Sequence, residues 1–188
     1  GGKERTKNGV GVVVDGTEEV HKNLNPWDFF ALEEKKAIAV LFNQYQFGAA
    51  KELCERLSEK AKNQKTLFKK VGFAIEDYQK WDLFRHNEAL DSFKKARIEE
   101  IEESNDPIFK EFARKTKPTI RFLENLIGER RKPSRNLMLD IFANAERRYE
   151  EGKTDDEILR LYGLVEMSAQ ERVLSRYGIE ASDVKPDK

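Results

Sequence analysis

From residue 26 onward, apolar side chains recur every three or four positions, which is the spacing of one face of an α-helix. Short breaks interrupt the pattern. Asp106-Pro107 is typical of a helix start, and Gly128 and Gly152 are typical of helix ends. The pattern predicts helices near residues 26–44, 47–62, 65–84, 87–104, 107–127, 134–151 and 155–176. We therefore expect a mainly α fold, an irregular bundle of helix hairpins.

The first 22 residues follow a different pattern. β-Branched residues at Val10 and 12–14 precede Asp15-Gly16, and a second short run follows at 17–20. Asp-Gly between two such runs predicts a β-hairpin, here at about residues 9–22, because its turn needs positive φ at both central residues. A lone two-stranded hairpin is marginally stable in water. We therefore expect it to pair with a sheet outside this sequence or with a partner chain.

One local pattern occurs more than once. The segments "FNQYQFGAAKEL" (42–53) and "WDLFRHNEALDSF" (81–93) superpose at an offset of 39 residues, and "YEEGKTDDEILRLY" (149–162) repeats them more loosely. Each has an aromatic residue near a helix end, a short turn and a new helix. The repetition is uneven, so it favours several helix hairpins over a regular solenoid.

The stretch 143–174 predicts two helices joined by a tight turn. One apolar stripe comprises Met138, Ile141, Phe142, Ala145 and Tyr149, and the other comprises Ile158, Leu161, Tyr162, Val165 and Ala169. We expect both stripes to be buried. If the helices are antiparallel, Asn144, Arg147, Glu166 and Gln170 can meet in one polar cleft, whereas the alternative is a set of surface ion pairs. Gly163 suggests a close contact between helices, since glycine costs about 1 kcal/mol relative to alanine in a helix.

Charge restricts where a nucleic acid could bind. The chain carries 35 Lys and Arg against 35 Asp and Glu, so its net charge draws in no polyanion and any phosphate site must be a local patch. Lysines cluster in 59–70, and a second basic segment, 128–135, precedes a helix start. The cations of this second segment, predicted to bind RNA or phosphate, are Arg130, Arg131, Lys132 and Arg135. The alternative is a solvated linker.

Metal, redox and cofactor chemistry have little support in the sequence. Cys54 is the single cysteine, and the only histidines, His21 and His86, have no partner at the spacing of a triad or metal site. We expect no metal and no cofactor. No apolar run reaches the roughly 18 residues of a membrane span, so we expect a cytoplasmic protein without membrane contact. The chain begins with Gly1 rather than Met, so we also expect it to be part of a longer protein.

Three blocks together resemble the C-terminal region of a CRISPR-associated CARF-domain family linked to type III systems. They are "GVGVVVDGTEEV…NPWDFFALEE", "LFNQYQFGAAKEL" and "FANAERRYEEGKTDDEILRLYGLVEMSAQ…GIEASDV", and they span most of residues 9–184. The resemblance implies an upstream Rossmann-like CARF domain that senses a cyclic oligoadenylate, with residues 1–24 as its last strands. It further implies a helical effector or adaptor domain at 25–184, a short tail at 185–188, and a homodimer.

In related effectors the helical region is a HEPN ribonuclease that uses Arg, four to six residues, then His. The C-terminal helix pair is HEPN-like in outline, but neither histidine here follows an arginine at that spacing. We therefore expect a non-catalytic module for handling RNA and for dimerisation in antiviral defence. A divergent, metal-independent endoribonuclease is the alternative. Its site would use Asn144, Glu166 as the base and Arg147 or Arg160 as the phosphate clamp. A helical repeat scaffold for protein interaction is the second alternative.

Overall fold

The computed structural model describes residues 4–5, 11–12, 26–61, 63–129 and 133–179. The chain divides into two units, 1–33 and 34–188. In the first unit, strand β1 (Glu4–Arg5) pairs antiparallel with β2 (Gly11–Val12), with Glu4 opposite Val12. The predicted Asp15-Gly16 turn and the strand at 17–20 lie outside the described residues, so the hairpin at 9–22 stays a prediction.

Helices make up almost all of the rest, which confirms the mainly α fold class. In chain order they are α1 (Pro26–Asn43), α2 (Phe47–Lys60), α3 (Lys65–Asp82), α4 (His86–Lys95), α5 (Ile98–Glu102), α6 (Pro107–Gly128), α7 (Arg135–Glu150) and α8 (Thr154–Tyr177). Asp106 caps α6, because its carboxylate accepts hydrogen bonds from the backbone N–H groups of Ile108 and Phe109 at 3.1 Å. α6 continues through Pro118.

The single helix predicted at 87–104 is wrong, because the structure has two helices there. Arg97 separates α4 from α5 with a left-handed backbone, φ +51°. The break directs Ile98 and Ile101 into the core, where both are almost fully buried. Arginine does not favour this conformation, so nothing in the local sequence marks the position.

Three helix-to-helix turns share one hydrogen-bond pattern. Tyr45, Phe84 and Gly152 each have φ between +57° and +73°. In each turn the residue after them donates to the carbonyl five positions back: Gln46 to Leu41, Arg85 to Lys80 and Lys153 to Arg148, at 2.8–2.9 Å. This is the Schellman arrangement that closes a helix end. The predicted repetition at 42–53, 81–93 and 149–162 is therefore one turn geometry used three times.

The core lies among α1 to α6. Its largest fully buried side chains are Phe68, Phe93, Phe109, Ile75, Ile98, Ile101, Leu123 and Val71. Phe68 of α3 meets Phe109 of α6 edge to face, with ring centroids 5.4 Å apart. Near them, Lys35 is buried and pairs with the Asp106 carboxylate. The α6 cap and a buried ion pair thus share one carboxylate.

The α7–α8 hairpin differs from the prediction at its surface. α8 has no fully buried residue, and Tyr162 and Val165 are 75% and 70% exposed. The side of α8 that packs on α7 carries Leu161, Leu164 and Met167, all half-buried. The predicted burial is therefore wrong for Phe142, Tyr149, Ile158, Tyr162, Val165 and Ala169. A helical period identifies an apolar face but does not say what covers it.

Gly163 is not the close helix contact that was predicted, since a Cβ built on it meets nothing within 4 Å. Gly72 makes the close contact instead: its Cβ would lie 3.2 Å from Cys54 Cβ, where α3 crosses α2. We expect Gly163→Ala to raise the free energy of unfolding by about 0.5–1 kcal/mol through helix propensity. Gly72→Ala should give no such gain. Denaturant unfolding of both variants measures the difference, and equal gains would contradict the contact.

Burial raises the pKa of the Cys54 thiol to about 12, from an ordinary value of 9.0. The unfolded chain loses this proton at lower pH than the folded chain does. The contribution to stability is complete below pH 9 and is lost as pH rises towards 12. We therefore expect no reaction of the native chain with an aromatic disulfide reagent at neutral pH, and stoichiometric reaction once denaturant is added. Fast labelling of the folded chain would contradict this burial.

Candidate functional site

The last residue of α3, Asp82, is the centre of a buried polar cluster. Its carboxylate accepts a hydrogen bond from Asn144 Nδ2 and one from Arg147 Nε, each at 2.9 Å, and it pairs with Arg148. Asp82 and Arg148 side chains are each only 9% exposed. One carboxylate of α3 therefore holds three residues of α7, Asn144, Arg147 and Arg148, and its negative charge is balanced by two guanidinium groups.

Asn144 is completely buried, and both the nitrogen and the oxygen of its amide are hydrogen-bonded. Nδ2 donates to both the Asp82 carboxylate and the Asp82 backbone carbonyl at 2.9 Å. Oδ1 accepts from Arg160 of α8. A residue that uses both ends of its amide in this way positions its neighbours, so Asn144 links α3, α7 and α8.

Arg147 differs from Asn144 because part of its side chain reaches a cavity. Its Nε is held by Asp82, and its guanidinium lies 5.7 Å from the centre of the Trp81 ring. The cavity beside it has a volume of about 230 Å³ and is lined mainly by aromatic residues of α1, α2 and α3. The Asp82 carboxylate thus orients Arg147, while part of the Arg147 side chain lines one edge of the cavity.

A second buried carboxylate, Asp140, lies on α7 itself, about one turn before Asn144. Asp140, almost fully buried, accepts from Trp81 Nε1 at 2.9 Å and lies 2.7 Å from His86 Nε2. His86 begins α4, and its ring meets Phe84 at 5.9 Å. No partner for His86 could be predicted from its spacing in the sequence, and in the structure Asp140 is that partner. This contact fixes α7 on the α3–α4 turn.

The predicted polar cleft is formed only in part. Asn144 and Arg147 meet at Asp82, whereas Glu166 accepts a hydrogen bond from Gln170 at 3.3 Å on the surface of α8. Among the described contacts, none joins Glu166 to Arg147 or to Asn144. Arg160, which does reach Asn144, lies six residues from Glu166, about 9 Å along the helix axis.

The predicted phosphate site lies mostly outside the described residues, since Arg130, Arg131 and Lys132 fall in a gap. Arg135 is exposed at the first position of α7. Ser134 caps that helix, its hydroxyl accepting from the backbone N–H of Leu137 at 3.2 Å. The local geometry is therefore that of a capped helix start with one exposed arginine.

Ionisation near the cluster is perturbed at Tyr45. Partial burial raises the pKa of this phenol, and its hydrogen bond to Glu150, 2.9 Å long, raises it further. Tyr45 therefore stays a neutral donor that ties the α1–α2 turn to α7.

Within the described ranges, no group of three or more His, Cys, Asp or Glu side chains is arranged to hold a metal ion. Nor does any described helix combine the length and apolarity needed to cross a membrane.

Two family models match this chain. The model described as the Csm6 6H domain matches residues 30–123, half of the sequence, and the model described as the Csm6 HEPN domain matches residues 127–188. The chain belongs to the Csm6 family. It is a CRISPR-associated defence protein with a helical, HEPN-like module related to ribonucleases. No curated protein and no solved structure matches it.

The buried cluster lies at the junction of the two Csm6 matches. Asp82, Trp81 and His86 fall in the 6H match. Asp140 and Asn144 fall in the HEPN match, as do the three arginines of the cluster, Arg147, Arg148 and Arg160. The cluster is therefore a joint between the 6H and HEPN parts of this Csm6-family chain. Both sides contribute charged groups that are buried by the contact.

Sequence reasoning missed the 6H side of the joint. Asp82 lies 39 residues after Asn43, at the same place in the repeated turn. This correspondence was the only feature of the local sequence that distinguished Asp82. Trp81 and His86 flank the same turn. Because their partners lie 54 to 66 residues away on α7, no short motif could have connected them.

Proposed function

We propose that this chain handles single-stranded RNA and forms a homodimer without cleaving RNA itself, downstream of a CARF domain that senses a cyclic oligoadenylate. The proposal that the chain does not cleave RNA is supported by the Asp82 cluster. Asn144 is buried and hydrogen-bonded at both ends of its amide, and Arg147 is bound through Nε, so both serve the joint between the 6H and HEPN parts. General acid–base catalysis needs a base within reach of the substrate proton, and Glu166 is engaged with Gln170 elsewhere on α8.

Phosphate contacts in this proposal come from Arg130, Arg131, Lys132 and Arg135. Arg135 is exposed at the capped start of α7, where free backbone N–H groups and the helix dipole favour an anion. Because the whole chain is neutral, such a local patch would supply the electrostatic part of binding.

The test of RNA binding compares two quadruple variants in a salt titration. Alanine at Arg130, Arg131, Lys132 and Arg135 should weaken binding of a labelled RNA by at least about tenfold and flatten its dependence on salt. The control replaces four exposed lysines elsewhere, Lys60, Lys65, Lys69 and Lys110, and should change binding much less. Equal losses in both variants would mean a diffuse charge effect and would overturn the assignment.

Homodimerisation is supported by the outer face of the α7–α8 hairpin. Leu159, Tyr162 and Val165 are each at least 70% exposed, beside half-exposed Phe142 and Ile158. Contiguous apolar surface of this kind marks an interaction site, and a second copy supplies the same face in a two-fold interface. The expected result is a dimer by light scattering and a monomer for Tyr162→Glu. A monomeric wild-type chain at high concentration would contradict the proposal.

A divergent ribonuclease is the second candidate, favoured by the match to the Csm6 HEPN domain and by the edge of Arg147 that lines a cavity. In that case Arg147, Asn144 and Glu166 would act together after a rearrangement of the joint. Loss of RNA cleavage in both Arg147→Ala and Glu166→Ala, with folding retained, is the result that distinguishes it.

A further inference from the structure

Two cavities adjoin at the end of α1. The larger, about 420 Å³, lies among α1, α3 and α6, and the smaller, about 230 Å³, lies beside Arg147. Phe42, Asn43 and Tyr78 line both. We call the two together the α1 groove. Its size falls in the range of small-molecule sites, and the smaller part alone can enclose a single planar ring system.

Aromatic rings form most of the shared wall. Phe42 lies edge to face against Tyr78 and Phe112, with centroids 4.8 and 5.3 Å away. Tyr45 and Trp81 extend the wall into the smaller cavity. Rings of this kind offer stacking surface to any flat π system, and nucleic-acid bases are the flat π systems that such platforms take most often.

Asn43 is the polar residue that is placed to form hydrogen bonds with a base in the groove. It is exposed, lines both cavities, and its amide makes no hydrogen bond within the described part of the chain. Its counterpart in the repeated turn, Asp82, uses both carboxylate oxygens to hold α7. A free amide presents one acceptor and one donor side by side. This pattern complements N6 and N7 of adenine.

Charge in the groove favours a neutral group inside it. Lys35 is paired with Asp106, Lys115 with Glu111 at 3.5 Å, and Arg147 with Asp82. A buried phosphate would find no unopposed cation among these walls. A base can therefore enter the groove while its phosphate stays outside it.

We propose that the α1 groove binds one base of single-stranded RNA, with adenine preferred, through stacking on the wall around Phe42 and recognition by Asn43. This rests on the proposed RNA handling and adds the place where a base is read. Asn43 is a specificity residue here, and the basic segment 130–135 remains the phosphate contact.

The experiment measures fluorescence anisotropy of labelled adenine and uridine oligonucleotides of equal length. Wild type should bind the adenine oligonucleotide more tightly. Asn43→Ala should lose about tenfold for adenine and little for uridine, so that the preference disappears. Gln44→Ala is the matched control, an exposed amide in the same turn that lines neither cavity, and should keep the preference.

Other results of this experiment would overturn the base site in different ways. Wild-type binding that Asn43→Ala leaves unchanged overturns the groove but not RNA handling, whereas no binding by wild type overturns both. Adenosine monophosphate should compete only weakly; competition as strong as that of the oligonucleotide would make this a nucleotide site and overturn the RNA assignment. A change of oligomeric state in Phe112→Ala, with RNA binding intact, would make the groove a protein contact and overturn it also.

Discussion

Asp82→Ala should lower the free energy of unfolding by about 3–5 kcal/mol, because it leaves the mostly buried Arg147 without its counter-charge and removes one of the two carboxylates that pair with Arg148, the other being Glu151. It also removes an acceptor from the fully buried Asn144. Chemical denaturation measures the change directly, and the melting temperature should fall by roughly 10 °C. Asp82→Asn should recover part of the loss, since it keeps an acceptor but not the charge.

The matched control for Asp82 is Glu88. It pairs with Arg85 in an i, i+3 arrangement, and both side chains are more than half exposed. Exposed pairs of this kind contribute little to stability, so Glu88→Ala should leave the unfolding midpoint unchanged. If Asp82→Ala were equally silent, the joint would not hold the HEPN part on the 6H part.

Phe68→Ala should cost about 3–5 kcal/mol, the second large effect. Phe68 is fully buried, and its ring edge meets Phe109 of α6 while Lys35 lies over its face at 5.9 Å. Removing the ring leaves a cavity between α3 and α6 and uncovers the buried Lys35–Asp106 pair. Urea unfolding with an unchanged m-value gives the loss of stability directly.

Phe73, on the same helix, is the natural control because it is 57% exposed. Phe73→Ala removes the same atoms from the surface and should change stability by less than about 1 kcal/mol. A similar loss in both variants would mean that packing in the core does not determine the effect, since alanine itself favours the helix more than phenylalanine does.

Helix positions could be predicted closely because the sequence carries their chemical limits. Asp106 caps α6 and Ser134 caps α7, each through a side-chain oxygen that accepts hydrogen bonds from backbone N–H groups, and Pro107 occupies the first position of α6. Gly152 ends α7 with a positive φ. These signals act within four residues, so a single sequence is enough to find them.

The remaining features depend on contacts distant in sequence. Arg97 adopts a left-handed conformation only because Ile98 and Ile101 gain burial after it. Asp82 could not be found from its neighbours, since its partners are on α7. The apolar stripe through Tyr162 predicts a buried face, but the stripe is exposed in the structure because no other helix packs against it in the part of the chain that the structure describes.

The candidate site was predicted in part for the same reason. Asn144 and Arg147 were singled out by their spacing on one helix face, and they do share a cluster. The cleft with Glu166 was not formed because the antiparallel register brings Arg160, rather than Glu166, to Asn144. Register between two helices is decided by packing, and Ser168 opposite Met138 at 3.7 Å places Glu166 well beyond Arg147.

We propose that this Csm6-family chain binds RNA without cutting it. The decisive experiment incubates the chain with end-labelled single-stranded RNA in the presence of a metal chelator, and follows binding by gel shift and cleavage by a denaturing gel on the same samples. We expect a shifted complex that contains intact RNA, and equally intact RNA with Arg147→Ala. Metal-independent cleavage that Arg147→Ala abolishes would contradict it.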